Sequence, residues 1–177
     1  MKLLVGRQIA LKEFLQVDLA VSWVDQPVNG ASFYLLGSDK GYILISSFSE
    51  EVNYGAGFHC VELPQGIFAI TTGFMSWKFA KQASEKGANA LFVFQSVSKL
   101  EDLLMAKAVC WGSSREFNIP IVLFVQHASV IHLFFCVPGQ GREKSGILFD
   151  ATSSCIVELD VSRTDSGRSF TVKTFVS

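Results

Sequence analysis

The apolar residues of this chain fall into short unbroken runs in its middle and into alternating runs toward its ends. The two patterns predict different kinds of strand. "IFAIT", "ALFVFQ" and "PIVLFV" are continuous, strand-length and rich in branched and aromatic residues, as expected of strands buried on both faces. Between the first two, a helix is expected from Ser76 as N-cap to about Lys86. Trp77, Ala80, Ala83, Ser84 and Gly87 recur on one face at three-and-four spacing. Lys78, Lys81, Gln82, Glu85 and Lys86 face water, and Gly87 ends the helix. Strand, helix and strand in so few residues form a βαβ unit with parallel strands.

A second helix is expected over "SKLEDLLMAKAVCW", capped by Ser98, with Glu101 in its first turn and Leu100, Leu103, Leu104 and Ala108 along one face. "GSSREFNIP" reads as the loop before the third strand. "QHASVIHLFFCV" fits either a short helix or another strand.

Toward the N-terminus a strand is expected from about Val17. "SFYLL" and "YILISS" form a hairpin closed by "GSDKG", and "SEEVNYGAGFHCVELPQG" reads as a long irregular loop. At the other end, "GILFDATSSCIVELDV" and "SFTVKTFV" predict antiparallel strands around "RTDSGR". The expected fold class is α/β, with α+β as the alternative: one domain over residues 1–177, with a mixed twisted sheet, a central βαβ unit, flanking helices and antiparallel hairpins at both ends.

Composition narrows the function classes. With 49% hydrophobic and 18% charged residues the chain is globular and not disordered. A net charge of −1 with both signs interspersed offers no basic stripe for phosphates, so no nucleic-acid partner is expected. The longest apolar stretches fall short of the roughly 18–20 residues of a spanning helix. The start "MKLLVGRQIALKEF" has too short an apolar run for a signal-peptide core. A soluble protein without direct membrane insertion is expected, its compartment left open.

Candidate chemistry is sparse. Cys60, Cys110, Cys136 and Cys155 lie far apart without a CxxC pair, and isolated apolar cysteines act mostly as small core residues. His127, His132 and Cys136 have an H-x4-H-x3-C spacing. On one strand the two histidines would face opposite sides, and on one helix they would stand about 140° apart, so no metal site is expected. His59 and Cys60 are neighbours that point apart. "PGQGREKSG" misses the spacing of a phosphate loop, and no helix is expected after it. Glu50/Glu51 and Glu101/Asp102 pair only along the chain, and Ser113 and Ser114 lack a nucleophile elbow. Neither a catalytic set nor a cofactor is expected. Phe58, Phe74 and Phe117 fall in expected loops and Trp111 at the border of one, where large rings often mark a contact surface, and the four are the candidate binding residues.

"GIFAITTGFMSWKFAKQASEKGANALFVFQ", followed by "NIPIVLFV", resembles the protease-associated domain family over about residues 60–135. The matching positions are Gly73, Trp77, Ala83, Gly87, Ala88, Ile119 and Pro120. Where that family often has an Arg-Gly pair and a cysteine, this chain has Thr72-Gly73 and Met75, so Cys60 has no mate there. The resemblance implies a non-catalytic module that presents a protein or peptide partner to a larger protein, in a family commonly lumenal or extracellular. Two alternatives stand beside it: a small enzyme whose Cys110 or Cys60 meets His127 in three dimensions, and a subunit that self-assembles into a homo-oligomer.

Overall fold

A computed structural model of the chain describes residues 2–7, 17–28, 31–38, 41–48, 58–72, 77–128, 130–139, 147–150, 155–164 and 167–176. Among the described residues, twelve strands and two helices follow in the order β1 (Lys2–Arg7), β2 (Leu19–Val28), β3 (Ala31–Ser38), β4 (Gly41–Phe48), β5 (Phe58–Leu63), β6 (Gly66–Thr72), α1 (Trp77–Glu85), β7 (Ala90–Val97), α2 (Leu100–Glu116), β8 (Ile121–His127), β9 (Val130–Cys136), β10 (Ile147–Asp150), β11 (Cys155–Thr164) and β12 (Gly167–Val176). They form two six-stranded sheets, ordered β12-β11-β1-β2-β3-β4 and β10-β9-β8-β7-β6-β5. The fold is α/β.

The second sheet carries the core. β6, β7 and β8 are parallel neighbours, and β5 and β9 add antiparallel strands on either side. Strand alternation sends Ala69, Leu91, Val93, Ile121, Leu123 and Val125 to the face covered by the helices, where they meet Phe79, Ala80 and Ala83 of α1 and Leu103, Ala106 and Cys110 of α2. The opposite face holds two stacked ring pairs, Phe68 with Phe92 at 5.9 Å and Phe94 with Phe124 at 4.7 Å. All four rings are fully buried, each contributing roughly 1.5–3 kcal/mol through lost apolar surface.

α1 ends as its sequence requires. Gly87 adopts φ 70°, its N–H donates to the Ser84 carbonyl at 3.0 Å, and the Ala88 N–H reaches back to the Ala83 carbonyl at 2.9 Å. This paired closure satisfies the last free carbonyls, and glycine takes the left-handed conformation without a Cβ penalty. Its buried face is Phe79, Ala80 and Ala83, while Trp77 stands 52% exposed, against the expected role for Trp77 on the buried face. The expected Ser76 cap lies outside the described residues.

α2 departs further from expectation. It runs through "GSSRE" to Glu116, where a loop is expected, and its N-cap is Lys99, not Ser98. Leu103, Ala106, Cys110, Ser113 and Ser114 form its buried seam, which leaves Leu100, Leu104 and Met105 exposed. Ser113 and Ser114 lie inside because small side chains let the last turn approach the sheet, and the Ser114 hydroxyl donates to the Cys136 carbonyl at 2.8 Å.

In the first sheet, β3 and β4 form the hairpin expected around "GSDKG", with Ser38 opposite Gly41, and β11 and β12 form the one around "RTDSGR", with Thr164 opposite Gly167. β1 is parallel to β2 and antiparallel to β11. Asp18 ties this sheet to the second one: its carboxylate accepts from the Lys2 N–H at 2.6 Å and from Gln65 Nε2 at 3.1 Å, in the turn between β5 and β6. Part of the expected irregular loop is strand β5, and the ambiguous segment after β8 is strand β9. Among the described residues, no helix is long and apolar enough to cross a membrane.

Candidate functional site at the carboxyl ends of the parallel strands

In open α/β sheets, ligands bind beyond the carboxyl ends of the parallel strands. Here those ends are Thr72 of β6, Val97 of β7 and His127 of β8. Near that edge polar side chains interrupt the apolar ones on the helix-covered face, which is apolar again at Val97, the last residue of β7. Thr71 follows Ala69 on β6, Gln95 follows Leu91 and Val93 on β7, and His127 follows Val125 on β8. Thr71 is paired in register with Val93, so Gln95 lies one strand across and two residues further on. Standard strand spacing puts the two α-carbons roughly 8 Å apart.

Thr71 and Gln95 are buried, at 0% and 2% exposure, yet Thr71 Oγ1, Gln95 Nε2 and Gln95 Oε1 have no hydrogen-bond partner. A buried polar group without a partner costs about 1–3 kcal/mol, and most such groups in native proteins are satisfied. Three atoms on one face without a partner in the protein, near the edge where α/β sheets take ligands, make Thr71 and Gln95 the candidate site. The hydroxyl can donate or accept. The carboxamide presents one donor group and one acceptor side by side.

The two histidines converge, contrary to the expectation that they do not. They stand on the two strands of a hairpin, not on one element, and a tight turn at Ala128 (φ 53°) brings them to the same face. Their ring centroids are 6.3 Å apart. His132 stacks on Phe134 at 6.1 Å, and Lys107 Nζ lies 4.7 Å from the centroid of that ring. Burial, and then the neighbouring His127, lower the pKa of His132 below the ordinary imidazole value. Cys136 does not join them, because it pairs with Ile121 at the other end of the hairpin. Among the described residues, no three metal-ligating side chains come together.

No described thiol is prepared for attack. Cys110 is fully buried, and burial followed by the proximity of Cys136 raises its pKa well above the ordinary thiol value. Burial pushes Cys136 up to about 12. Cys60 is exposed on β5, and burial outweighs Lys86 to raise it as well. His127 stands three strands away from Cys60 in the sheet order, so the suggested pairing of those two is not formed.

Of the four aromatic candidates, Phe58 stacks on Phe79 at 5.8 Å with Lys86 Nζ over its ring. Trp111 lies inside α2 with the Arg115 guanidinium 4.8 Å from its ring, and Phe117 stacks on Trp77 at 6.4 Å. All three are partly buried against the core. Phe74 lies outside the described residues. Sequence reasoning missed Thr71 and Gln95, although "ALFVFQ" held a signal: a glutamine on the same strand face as Leu91 and Val93 must either find a partner or serve a ligand.

No family model and no curated protein sequence matches the chain. Solved structures do. An amidase of the nitrilase superfamily from Nesterenkonia AN1 matches with a TM-score of 0.53 at 11% identity, over 73% of this chain and 59% of the amidase. Another structure of that amidase, with a TM-score of 0.51, 12% identity and coverage of 73% and 61%, records acrylamide added to its active-site cysteine. The glutamine-dependent NAD+ synthetase of Acinetobacter baumannii matches with a TM-score of 0.59 at 16% identity, over 85% of this chain and 32% of the synthetase. The chain thus spans about three fifths of the amidase and one third of the synthetase.

These likenesses overturn the resemblance to protease-associated domains and the non-catalytic interaction module it implied. The strand–helix–strand pattern with Gly87 and Pro120 is real, but it is shared by any compact βαβ unit and does not define that family. Over the 73% of the chain that the amidase match covers, the chain shares the fold of that structure.

Proposed function

We propose that the chain holds the substrate of an enzyme acting on a carbon–nitrogen bond in a small acyl compound. The observation that carries this reading is the pair of buried, unpartnered side chains at the carboxyl edge of the parallel strands, Thr71 and Gln95. The fold likeness to an amidase supports the reaction class. In the reaction, water would replace nitrogen on the acyl carbon: a C–O bond forms, the C–N bond breaks, and ammonia leaves with the proton it takes up. Thr71 and Gln95 hold and orient the acyl group. Neither acts as nucleophile, since no base contacts Thr71 Oγ1.

A second reading is favoured by the raised thiols of Cys60, Cys110 and Cys136: a site that binds such a compound without turning it over. Ammonia release from short primary amides, measured with the full chain by a coupled assay, separates the two. Release that is lost in Gln95→Leu supports hydrolysis. Binding of the amide without any release establishes the second reading in its place.

A further inference from the structure

Taking substrate holding at this site as given, we infer that Gln95 is the specificity-determining residue: it reads the –CONH2 group of a primary carboxamide and rejects the carboxylate that hydrolysis leaves. Both halves of the Gln95 side chain are buried and unpartnered, so the site offers one donor group, Nε2, and one acceptor, Oε1. A primary carboxamide offers the matching pair, a carbonyl acceptor and an N–H donor, and it is uncharged. The side chain and its ligand are then mutually complementary, like two amides in a planar pair.

A carboxylate lacks the donor. Its second oxygen would face Gln95 Oε1, acceptor against acceptor, and its charge would enter a buried place. No described lysine, arginine or histidine donates to Gln95 Oε1 or Thr71 Oγ1, and His127, diagonal to Gln95 on β8, stands half-buried at the end of its strand, beyond the fully buried pair. A buried charge without a partner is costly. The Thr71 hydroxyl adapts to either ligand, as donor or acceptor, so discrimination falls on Gln95. In the balanced reaction R–CO–NH2 + H2O → R–COO⁻ + NH4⁺, the group that forms is the one the site disfavours. Lost complementarity therefore drives product release, and substrate is kept in preference to product.

The test is calorimetric titration of the full chain with propionamide and propionate, run beside the ammonia assay. Propionamide is expected to bind on the order of tenfold more tightly than propionate, as mismatched buried hydrogen-bonding groups require. Gln95→Leu and Gln95→Met are expected to remove that preference. Equal or tighter binding of propionate by the wild type, a preference that survives in folded Gln95 variants, or binding of neither probe overturns the inference. The wild-type comparison needs no variant, so a misfolded substitution does not weaken it. Preferential amide binding without ammonia release overturns hydrolysis and leaves the selection by Gln95 standing. Ammonia release without preference does the reverse.

Discussion

His127 and His132 face each other across the hairpin of β8 and β9, their ring centroids 6.3 Å apart and their planes tilted by 57°. The pair is held by register: Val125 stands opposite His132 and His127 opposite Val130, so the two imidazoles are diagonal neighbours on one face. Burial of His132 against Phe134 and the proximity of His127 favour its neutral form.

That preference sets a pH dependence. The folded pKa of His132 lies below its unfolded value near 6.5, so the unfolded chain binds the proton more readily. The stability it contributes is present above about pH 6.5 and is lost as pH falls through the lower folded value. Urea melts between pH 7.5 and 5 are expected to show decreasing stability, with a flatter decline in His132→Phe. A variant whose profile superimposes on the wild type would show that His132 is not part of the cause.

Gln95→Leu should make the fold more stable while removing the preference for amide over carboxylate. The glutamine leaves two polar atoms unsatisfied in the core, at a cost of about 1–3 kcal/mol, and leucine of similar volume removes it. A rise in denaturation midpoint at constant m-value is expected. A loss of stability comparable to a core truncation would mean that Gln95 is a satisfied structural residue.

The buried thiols predict the opposite end of the pH range. Cys110 and Cys136 keep their protons in the folded chain to higher pH than in the unfolded one, so the native state binds more protons above the ordinary thiol pKa of 9.0. Their contribution is complete below that value and declines as pH rises toward about 12 for Cys136, by up to about 1.4 kcal/mol per pH unit and thiol. Cys136→Ala should shed part of this alkaline slope. Of Cys60, Cys110 and Cys136, Cys60 should react first with a thiol reagent at neutral pH, because it is exposed and the other two are buried. Equal rates for Cys60, Cys110 and Cys136 would contradict their placement.

Gly66 tests the entrance to β6. It adopts φ 132°, and a Cβ there would meet the Asn89 carboxamide, 2.8 Å from its Cγ. Asn89 Oδ1 accepts from the Ile67 N–H at 3.2 Å, and the Asn89 N–H donates to the Ile67 carbonyl at 2.7 Å, locking β6 to the start of β7. Gly66→Ala is expected to cost about 2 kcal/mol or more, read as a lower urea midpoint. An unchanged midpoint would remove the proposed clash.

Much of the second sheet was legible in the sequence, for physical reasons. Unbroken runs such as "IFAIT" have few alternatives to doubly buried strands, and Gly87 marks a helix end because few other residues take its conformation. The terminal hairpins announced themselves through their turns. What stayed hidden depends on partners. Alternating strands do not name the sheet they join, so the single mixed sheet expected from the pattern is two six-stranded sheets in the fold. "GSSRE" looks like a loop by composition, but packing of Ser113 and Ser114 against the sheet carries the helix through it. His127 and His132 converge only because a turn at Ala128 falls between them. Thr71 and Gln95 read as minor polar interruptions until their neighbours prove apolar.

The most direct measurement is a proton–nitrogen correlation spectrum of chain labelled at glutamine side chains, titrated with propionamide. The Gln95 NH2 pair, assigned by its loss in Gln95→Leu, is expected to shift on saturation while Gln65, at the protein surface, stays in place. A Gln95 signal that does not move at saturating propionamide would show that the buried carboxamide is not where the ligand binds.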